Sequence, residues 1–182
     1  MKVLRFLLLG LAICLASGVR AQAYQDVKAF DLKGNVRFCE VREIHAIDAI
    51  GLNFSELAEG GTLTDKYSFS SDGKYIPNTG EKVIYEGRVI KKIQIGDDER
   101  IYDFSEGRLK SIVIPGFLFM AVYSYTYGDN GVMIEEEFDS NVGHYVKKYS
   151  NYEFDSKGNW IQRISKVDDK LPVGEIRTIT YY

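Results

Sequence analysis

The feature that most constrains the fold is a turn pattern that recurs along the chain and is clearest near its C-terminal end. There, Tyr152 and Phe154 alternate before a turn that begins at Asp155 and ends at Gly158, and Trp160 follows two residues later. An aspartate at the first turn position accepts hydrogen bonds from the amides that follow it, and glycine supplies the left-handed residue that closes a bulged hairpin. Alternating aromatic residues are typical of strands. The stretch therefore predicts a β-hairpin.

The same pattern, an aromatic residue followed by three polar or small residues and a glycine, occurs in full four times. These copies lie at residues 30–34, 69–73, 127–131 and 154–158. Two shorter variants end in a Glu-Gly pair, which suits a two-residue turn. The six glycines that mark predicted hairpin tips are Gly34, Gly73, Gly87, Gly107, Gly131 and Gly158. We expect at least five of them to join adjacent antiparallel strands.

The segments between the tips have the composition of strands, so the sequence predicts an all-β fold. Because the spacing of the six glycines varies from 14 to 39 residues, an irregular meander is favoured over a strict solenoid. Residues 117–123 form the most apolar stretch after the N-terminal segment and are expected to be a central strand covered on both faces. Residues 44–57 predict a strand that continues into a loop or short helix. The whole is expected to be an antiparallel meander of repeated hairpins in one long twisted sheet that can curl.

The N-terminal segment has the pattern of a secretory signal peptide. Lys2 and Arg5 flank an apolar run at residues 6–16, which small residues and two cleavage frames ending at Ala21 and Ala23 follow. The apolar run is about half of the roughly 20 residues that span a membrane. We therefore expect a signal peptide at residues 1–21, a single domain at 22–182, no stable membrane anchor after cleavage, and export to the periplasm or the extracellular space.

The charge and the cysteine count exclude several classes of function. Loss of Lys2, Arg5 and Arg20 with the signal peptide changes the formal net charge from −3 to −6. An acidic chain of this kind is a poor partner for nucleic acid or anionic membrane surfaces. Cys39 is the one cysteine that follows the signal peptide, so no internal disulfide can form. Its apolar neighbours predict a buried thiol that packs as a small hydrophobic side chain.

No catalytic, cofactor-binding or metal-binding set can be read from the sequence. The acidic runs at residues 97–99, 135–137 and 168–169 lack the alternating oxygen ligands of a calcium loop, and adjacent acids on a strand point to opposite faces. His45 and His144 lie far apart and have no partner at metal-ligand spacing. The chain is therefore expected not to be an enzyme and to need no cofactor.

Aromatic residues are the one feature with potential for recognition. Tyr123, Tyr125 and Tyr127 share one face of a predicted strand, and Tyr152 and Trp160 flank the last predicted hairpin tip. Exposed together, these five residues would form a platform for sugar rings or a partner protein. Core packing and cross-strand stacking explain the same spacing and are the favoured interpretation.

The repeated unit of an aromatic residue, Asp, two residues, Gly, Asn or Arg, and an aliphatic residue resembles the YD repeats of Rhs-type proteins. The C-terminal residues 158–182 are similar to secreted repeat proteins common in Bacteroidetes. The resemblance spans roughly the whole mature chain and implies a long antiparallel sheet that can curl, with roles in shells or adhesion and no catalytic residues. The units are unequal in length and several lack the Tyr-Asp pair, so a closed shell does not fit.

Two functions follow as expectations. The first is an exported, non-enzymatic β-repeat protein that acts as a binding or structural module toward a protein or a glycan at the cell envelope. The alternative is a carbohydrate-active accessory domain or a hydrolase, whose cleft would use Tyr123, Tyr125, Trp160 and one acidic run. A concave surface where aromatic residues and two carboxylates converge would favour the alternative, and a convex or flat sheet would favour the first.

Overall fold

The structure, a computed structural model, describes residues 24, 26–45, 61–116 and 119–182. The described residues form twelve β-strands and one helical turn, α1 (Asp26–Ala29). The strands are β1 (Val36–His45), β2 (Thr62–Phe69), β3 (Tyr75–Ile76), β4 (Glu81–Glu86), β5 (Val89–Ile95), β6 (Asp98–Ser105), β7 (Arg108–Ile114), β8 (Ala121–Tyr127), β9 (Met133–Ser140), β10 (Gly143–Phe154), β11 (Trp160–Val167) and β12 (Val173–Tyr181).

All twelve strands belong to one antiparallel sheet with the order β3-β2-β1-β12-β11-β10-β9-β8-β7-β6-β5-β4. Strands that follow each other in the sequence are neighbours in the sheet, except β3 and β4, which lie at its two edges. The first long strand also pairs with the last, from Val36 opposite Tyr181 to His45 opposite Val173. Because the edge strands β3 and β4 do not pair with each other, the sheet is open. The prediction of an all-β antiparallel meander in one long sheet is confirmed.

The sheet is curled. This follows from a core that is shared by residues from strands far apart in the strand order. Val41 of β1, Tyr102 of β6 and Trp160 of β11 belong to a single buried cluster. Across the opening between the two edge strands, the Tyr75 hydroxyl donates to a carboxylate oxygen of Glu81 at 2.7 Å. The concave face therefore encloses the interior of the protein.

Five of the six predicted hairpin tips are confirmed. Gly73, Gly87, Gly107, Gly131 and Gly158 each lie between two strands that pair antiparallel. Successive connections of an antiparallel meander lie at alternate ends of the sheet, and these five are every second connection. They therefore lie at the same end, which we call the tip end. The connections at residues 96–97, 141–142 and 168–172 lie at the opposite end.

The sixth prediction, a hairpin at Gly34, is wrong. Gly34 lies between α1 and β1, where the chain enters the sheet. The preceding residues do not form a strand because Val27, Ala29 and Leu32 are buried against the core instead. The backbone amide of Lys33 donates to Asn159 Oδ1 at 2.6 Å, so this segment covers the tip end near the last hairpin. Neither the helix nor this packing was predicted.

The last hairpin tip has the predicted side-chain geometry. Asp155 Oδ1 accepts from the backbone amides of Lys157 and Asn159, each at 2.9 Å. The amide of Gly158 donates to the carbonyl of Asp155 at 3.0 Å, and its φ of +78° lies in the left-handed region. The turn is therefore held by its own residues and depends on glycine at its last position.

The expectation of a doubly covered strand at residues 117–123 is wrong in part. Strand β8 begins at Ala121, and Phe119 and Met120 precede it with 38% and 58% of their surface exposed. The chain turns after Ile114, and a Cβ at Gly116 would collide with the carbonyl oxygen of Phe119. Residues 117 and 118 of the predicted strand lie outside the described residues, and most of β8 is only half-buried.

The predicted signal peptide at residues 1–21 lies outside the described residues. The same is true of residues 46–57 in the predicted segment 44–57, whose first two residues end strand β1. Within the described part of the chain, no helix is long and apolar enough to cross a membrane.

Replacing Gly158 with Ala is expected to lower the free energy of unfolding by about 1 kcal/mol, because alanine is strained at positive φ. Space is not the cause, since a Cβ there would meet only the Lys33 side chain at 3.6 Å. Denaturant unfolding measures the change. Gly143→Ala is the matched control, because a Cβ at that β10 position meets nothing within 4 Å. Equal stability of the two variants would contradict the strain argument.

Candidate functional site

A β-bulge in β11 brings Trp160 and Arg163 to the same, concave face of the sheet. Two adjacent residues of β10 pair with Trp160 and Gln162, so Ile161 is the extra residue. Residues three positions apart on a regular strand face opposite sides, and a bulge reverses this relation. Both side chains are buried as a result.

Four side chains from β10, β11 and β12 form a continuous stack on the concave face. Arg163 lies between two rings, with its Cζ atom 3.7 Å from the Tyr149 centroid and 4.0 Å from the Trp160 centroid. Arg177 Cζ lies 3.7 Å from the Trp160 centroid. Guanidinium groups over aromatic faces are attracted by the ring quadrupole, by about 2 kcal/mol where water is excluded. We call these four residues the Arg–aromatic stack.

The stack also holds the segment that covers the tip end. Arg177 donates to the carbonyl oxygens of Asp31 at 2.9 Å and Phe30 at 3.1 Å, just after α1. Trp160 Nε1 donates to Asp31 Oδ2 at 3.1 Å. Burial lowers the pKa of Arg177, and the nearby carboxylate of Asp31 offsets part of this effect. The interior of the sheet and the N-terminal segment are therefore joined by charge-assisted contacts.

A buried ion cluster lies beside the stack. Arg163 Nε and Nη2 both lie 2.6 Å from Glu175 Oε2, and Lys147 Nζ lies 2.7 Å from Glu175 Oε1 and 3.6 Å from Glu43 Oε1. Burial alone would raise the pKa of Glu175, but the charges of Arg163 and Lys147 outweigh it and lower the pKa to about 2. Burial would lower the pKa of Lys147, but Glu175 raises it. Glu175 is therefore ion-paired at both oxygens, although Oε1 accepts no hydrogen bond.

Glu136 is the second carboxylate in this region, and its environment differs. It lies opposite Tyr125 on one neighbouring strand and Lys147 on the other. Its Oε2 atom accepts from the Tyr149 hydroxyl at 3.4 Å. Burial raises the pKa of Glu136, an effect that Lys147 and Arg163 offset only in part. The two carboxylates therefore have pKa values shifted in opposite directions.

These groups line a cavity of about 310 Å³ on the concave face. Its aromatic wall consists of Phe30, Tyr67, Tyr102, Tyr125, Tyr127, Tyr149 and Trp160. Burial keeps the pKa of the tyrosines above the usual value, to about 12 for Tyr127, so their hydroxyls stay protonated. Thr64, Asp65 and Arg100 line the same cavity and are exposed, so it opens to solvent at β2 and β6.

The structure separates the five aromatic residues proposed as a recognition surface. Tyr125, Tyr127 and Trp160 line the cavity, and Trp160 is only 3% exposed. Tyr123 packs on Phe138 with ring centroids 5.0 Å apart. Tyr152 stacks on Phe154 at 5.7 Å, and its hydroxyl donates to the carbonyl of Met133. The tyrosines are half-buried, so the five do not form a flat outer platform; a role in recognition stays a prediction for the three in the cavity.

The other candidate residues do not join this site. His144 Nδ1 lies 3.9 Å from Glu137 Oε1, with both side chains half exposed. Cys39 is buried as predicted, and burial raises the pKa of its thiol to about 11. Among the described residues, no group of three or more His, Cys, Asp or Glu side chains could hold a metal ion.

Sequence reasoning missed the charged residues of the cavity. Of the acidic run at residues 135–137, Glu136 alone lines the cavity, as alternation along a strand allows. Arg163 and Glu175 pair directly across β11 and β12, and Glu43 and Glu175 pair directly across β1 and β12. A signal was available in the basic residues placed among apolar strand positions. Their inward orientation depends on bulges and on the pairing of the two terminal strands, which are not local features.

No protein-family model matches the chain, and no curated protein matches it. The chemistry of the cavity is therefore the ground for inferring a function. It offers tyrosine rings and hydroxyls, one carboxylate held ionised by two cations, and one carboxyl of raised pKa. Small-molecule sites are usually concave and lined by aromatic side chains, and this cavity shares both features while carrying more charged groups than most.

Acid is expected to destabilise the protein through Glu175. The pKa of Glu175 is about 2 in the folded protein and 4.5 ordinarily, so its stabilising contribution is present above pH 4.5 and is lost as the pH falls toward 2. The loss is on the order of 3 kcal/mol. Denaturant unfolding across this range measures it.

The variant Glu175→Gln should be less stable at neutral pH and should lack this part of the pH dependence. Glu153→Gln, at an exposed position on β10, is the control and should keep it. An unchanged pH profile in Glu175→Gln would contradict the assignment of the acid effect to this carboxylate.

Proposed function

We propose that the protein is exported by its N-terminal signal peptide and acts, without catalysis, as a binding module whose ligand occupies the concave cavity. The observation that carries the proposal is a cavity of about 310 Å³ that brings together aromatic walls and charged groups with perturbed pKa values. Perturbed groups in a cleft favour a functional site over ordinary packing.

The composition of the interior supports binding more than a purely structural role. Replacing a buried ion cluster with apolar residues of similar size is often neutral or stabilising, so the cluster of Arg163, Glu175 and Lys147 is not needed for stability alone. Its side chains are also fixed by the Arg–aromatic stack, which keeps the wall of the cavity in one arrangement. A rigid wall lowers the entropy cost of binding.

The resemblance to YD-repeat proteins agrees with this proposal. Membership of that family is itself a proposal. The five repeated turns at the tip end contribute no residue to the cavity, although some residues next to them line it. The repeats therefore account for the scaffold. The polar lining comes from positions outside the turn pattern. We still expect the ligand to come from a protein or a glycan at the cell envelope.

A carbohydrate-active accessory domain or a hydrolase is the second candidate. Glu136 and Glu175 line one concave cavity with Tyr125 and Trp160, and carboxylates with opposed pKa shifts are the pattern of an acid and its partner. Two observations count against it. Both oxygens of Glu175 are engaged by cations, and two guanidinium groups lie over the Trp160 ring, so this ring is not free to stack on a sugar.

Screening the mature protein by ligand-observed NMR against a library of soluble metabolites and oligosaccharides is expected to give ligands that Tyr125→Leu no longer binds. The Leu variant loses the ring and hydroxyl at the cavity wall. Thr126→Leu is the matched control, because the next residue on β8 is exposed and faces away from the cavity. If the Leu variant is unstable, Tyr125→Phe, which keeps the ring, replaces it in this test. Ligands that bind all of these variants equally would contradict the proposal.

The same protein is expected not to cleave aryl glycosides. Release of the chromogenic aglycone measures this directly. Turnover that is lost in Glu136→Gln and kept in Glu135→Gln would instead establish the hydrolase, because only the first of these residues lines the cavity.

A further inference from the structure

The charges around the cavity are unevenly paired. Five carboxylates and four basic side chains line it. Two of the basic side chains, Lys147 and Arg163, both bind Glu175, and Arg177 is engaged by the carbonyls that follow α1. Within the described part of the chain, no basic nitrogen lies within 4.0 Å of the Glu136 carboxylate. The cavity therefore has an excess of acid, and Glu136 is a carboxylate of its wall that lacks a counter-ion.

The position of Lys147 makes this lack more specific. Lys147 lies directly opposite Glu136 in the pairing of β10 with β9, where opposite charges commonly pair. Its ammonium instead lies 2.7 Å from Glu175 and 3.6 Å from Glu43. The natural partner of Glu136 is thus occupied elsewhere. A half-buried carboxylate without a cation is less favourable in its ionised form, and partial burial raises the pKa of Glu136 accordingly.

An aromatic ring lies on the other side of Glu136. Tyr125 pairs with it across β8 and β9 and lines the cavity. Among the described residues, no cation–π or ring contact occupies the Tyr125 ring, whereas the Tyr149 ring already has Arg163 at 3.7 Å. Tyr125 packs against the core cluster but holds no cation, and a carboxylate beside such a ring is a combination that binds a substituted ammonium group.

We propose that the cavity binds a small organic cation, with its ammonium group at the carboxylate of Glu136 and against the ring of Tyr125. This inference rests on the proposed binding function and names the chemical class of its ligand. The excess of carboxylates disfavours an anion, and a neutral ligand would leave Glu136 without a counter-ion.

Binding of a cation is linked to the ionisation of Glu136. The charged and titratable groups that face it are Lys147 and Tyr149 on β10, Arg163 on β11, Glu175 on β12 and Tyr125 on β8. Glu175, with a pKa of about 2, stays ionised in mild acid, and Lys147, with a raised pKa, stays protonated. Since a cation favours the ionised form of Glu136, its affinity falls as the pH falls through the pKa of this residue, whereas that of a neutral ligand does not.

The test compares choline, ethanolamine and cadaverine with 3,3-dimethylbutan-1-ol, the neutral isostere of choline, by NMR titration of the mature protein. At least one ammonium probe is expected to bind, and the isostere is expected to bind about tenfold more weakly or not at all. Lowering the pH from neutral through the raised pKa of Glu136 should weaken binding of the cation only.

Glu136→Gln, which keeps the shape of the side chain, is expected to weaken the ammonium probe about tenfold and to remove its pH dependence. Glu135→Gln and Glu137→Gln, its neighbours outside the cavity lining, are the matched controls and should bind as the wild type does. Failure of every ammonium probe to bind, equal binding of the isostere, or an unchanged affinity in Glu136→Gln would overturn the inference. A neutral ligand lost in Tyr125→Leu would then leave the binding function standing with a different ligand class.

Discussion

The contact of Arg177 with Trp160 is the interaction on which the rest of the structure depends. The guanidinium lies 3.7 Å from the indole centroid and donates to two carbonyls at the end of the helical segment, while the indole Nε1 binds Asp31. One side chain thus connects the last strand, the hairpin strand β11 and the N-terminal segment. A guanidinium–ring contact of this kind contributes about 2 kcal/mol where water is excluded, and loss of Arg177 would also leave the carbonyls of Phe30 and Asp31 without this donor.

A second constraint follows from the pairing of the first and last strands. The register of β1 with β12 places Glu43 opposite Glu175, and like charges directly opposite each other are destabilising. Lys147 resolves this conflict, because its ammonium lies between the two carboxylates at 3.6 and 2.7 Å. The solution has a consequence for the cavity. Lys147, held by two carboxylates at the terminal strands, forms no ion pair with Glu136, its neighbour on β9, and offsets the effect of burial on the pKa of Glu136 only in part.

Local chemistry decided how much could be predicted from the sequence. The turn at Gly158 is held by Asp155 and by its own backbone, so its sequence was sufficient to predict it. Gly34 has the same motif, but burial of Val27 and Leu32 draws the preceding residues into the core, and tertiary packing overrides the turn signal. The candidate site was harder to predict from the sequence, because the bulge at Ile161 changes which residues face inward. A regular strand would have placed Trp160 and Arg163 on opposite faces.

The open edge of the sheet is best understood together with the cavity. Strand β3 pairs only with Ser68 and Phe69, so the first part of β2 has no partner on that side among the described strands. Free edges are a liability for aggregation, and charged residues such as Asp65 and Lys66 on this part of β2 oppose it. The same part of β2 borders the cavity, which is exposed there at Thr64 and Asp65. The unpaired edge of β2 and the exposed border of the cavity are therefore the same part of the sheet, and the charged side chains that oppose aggregation there also lie beside the cavity.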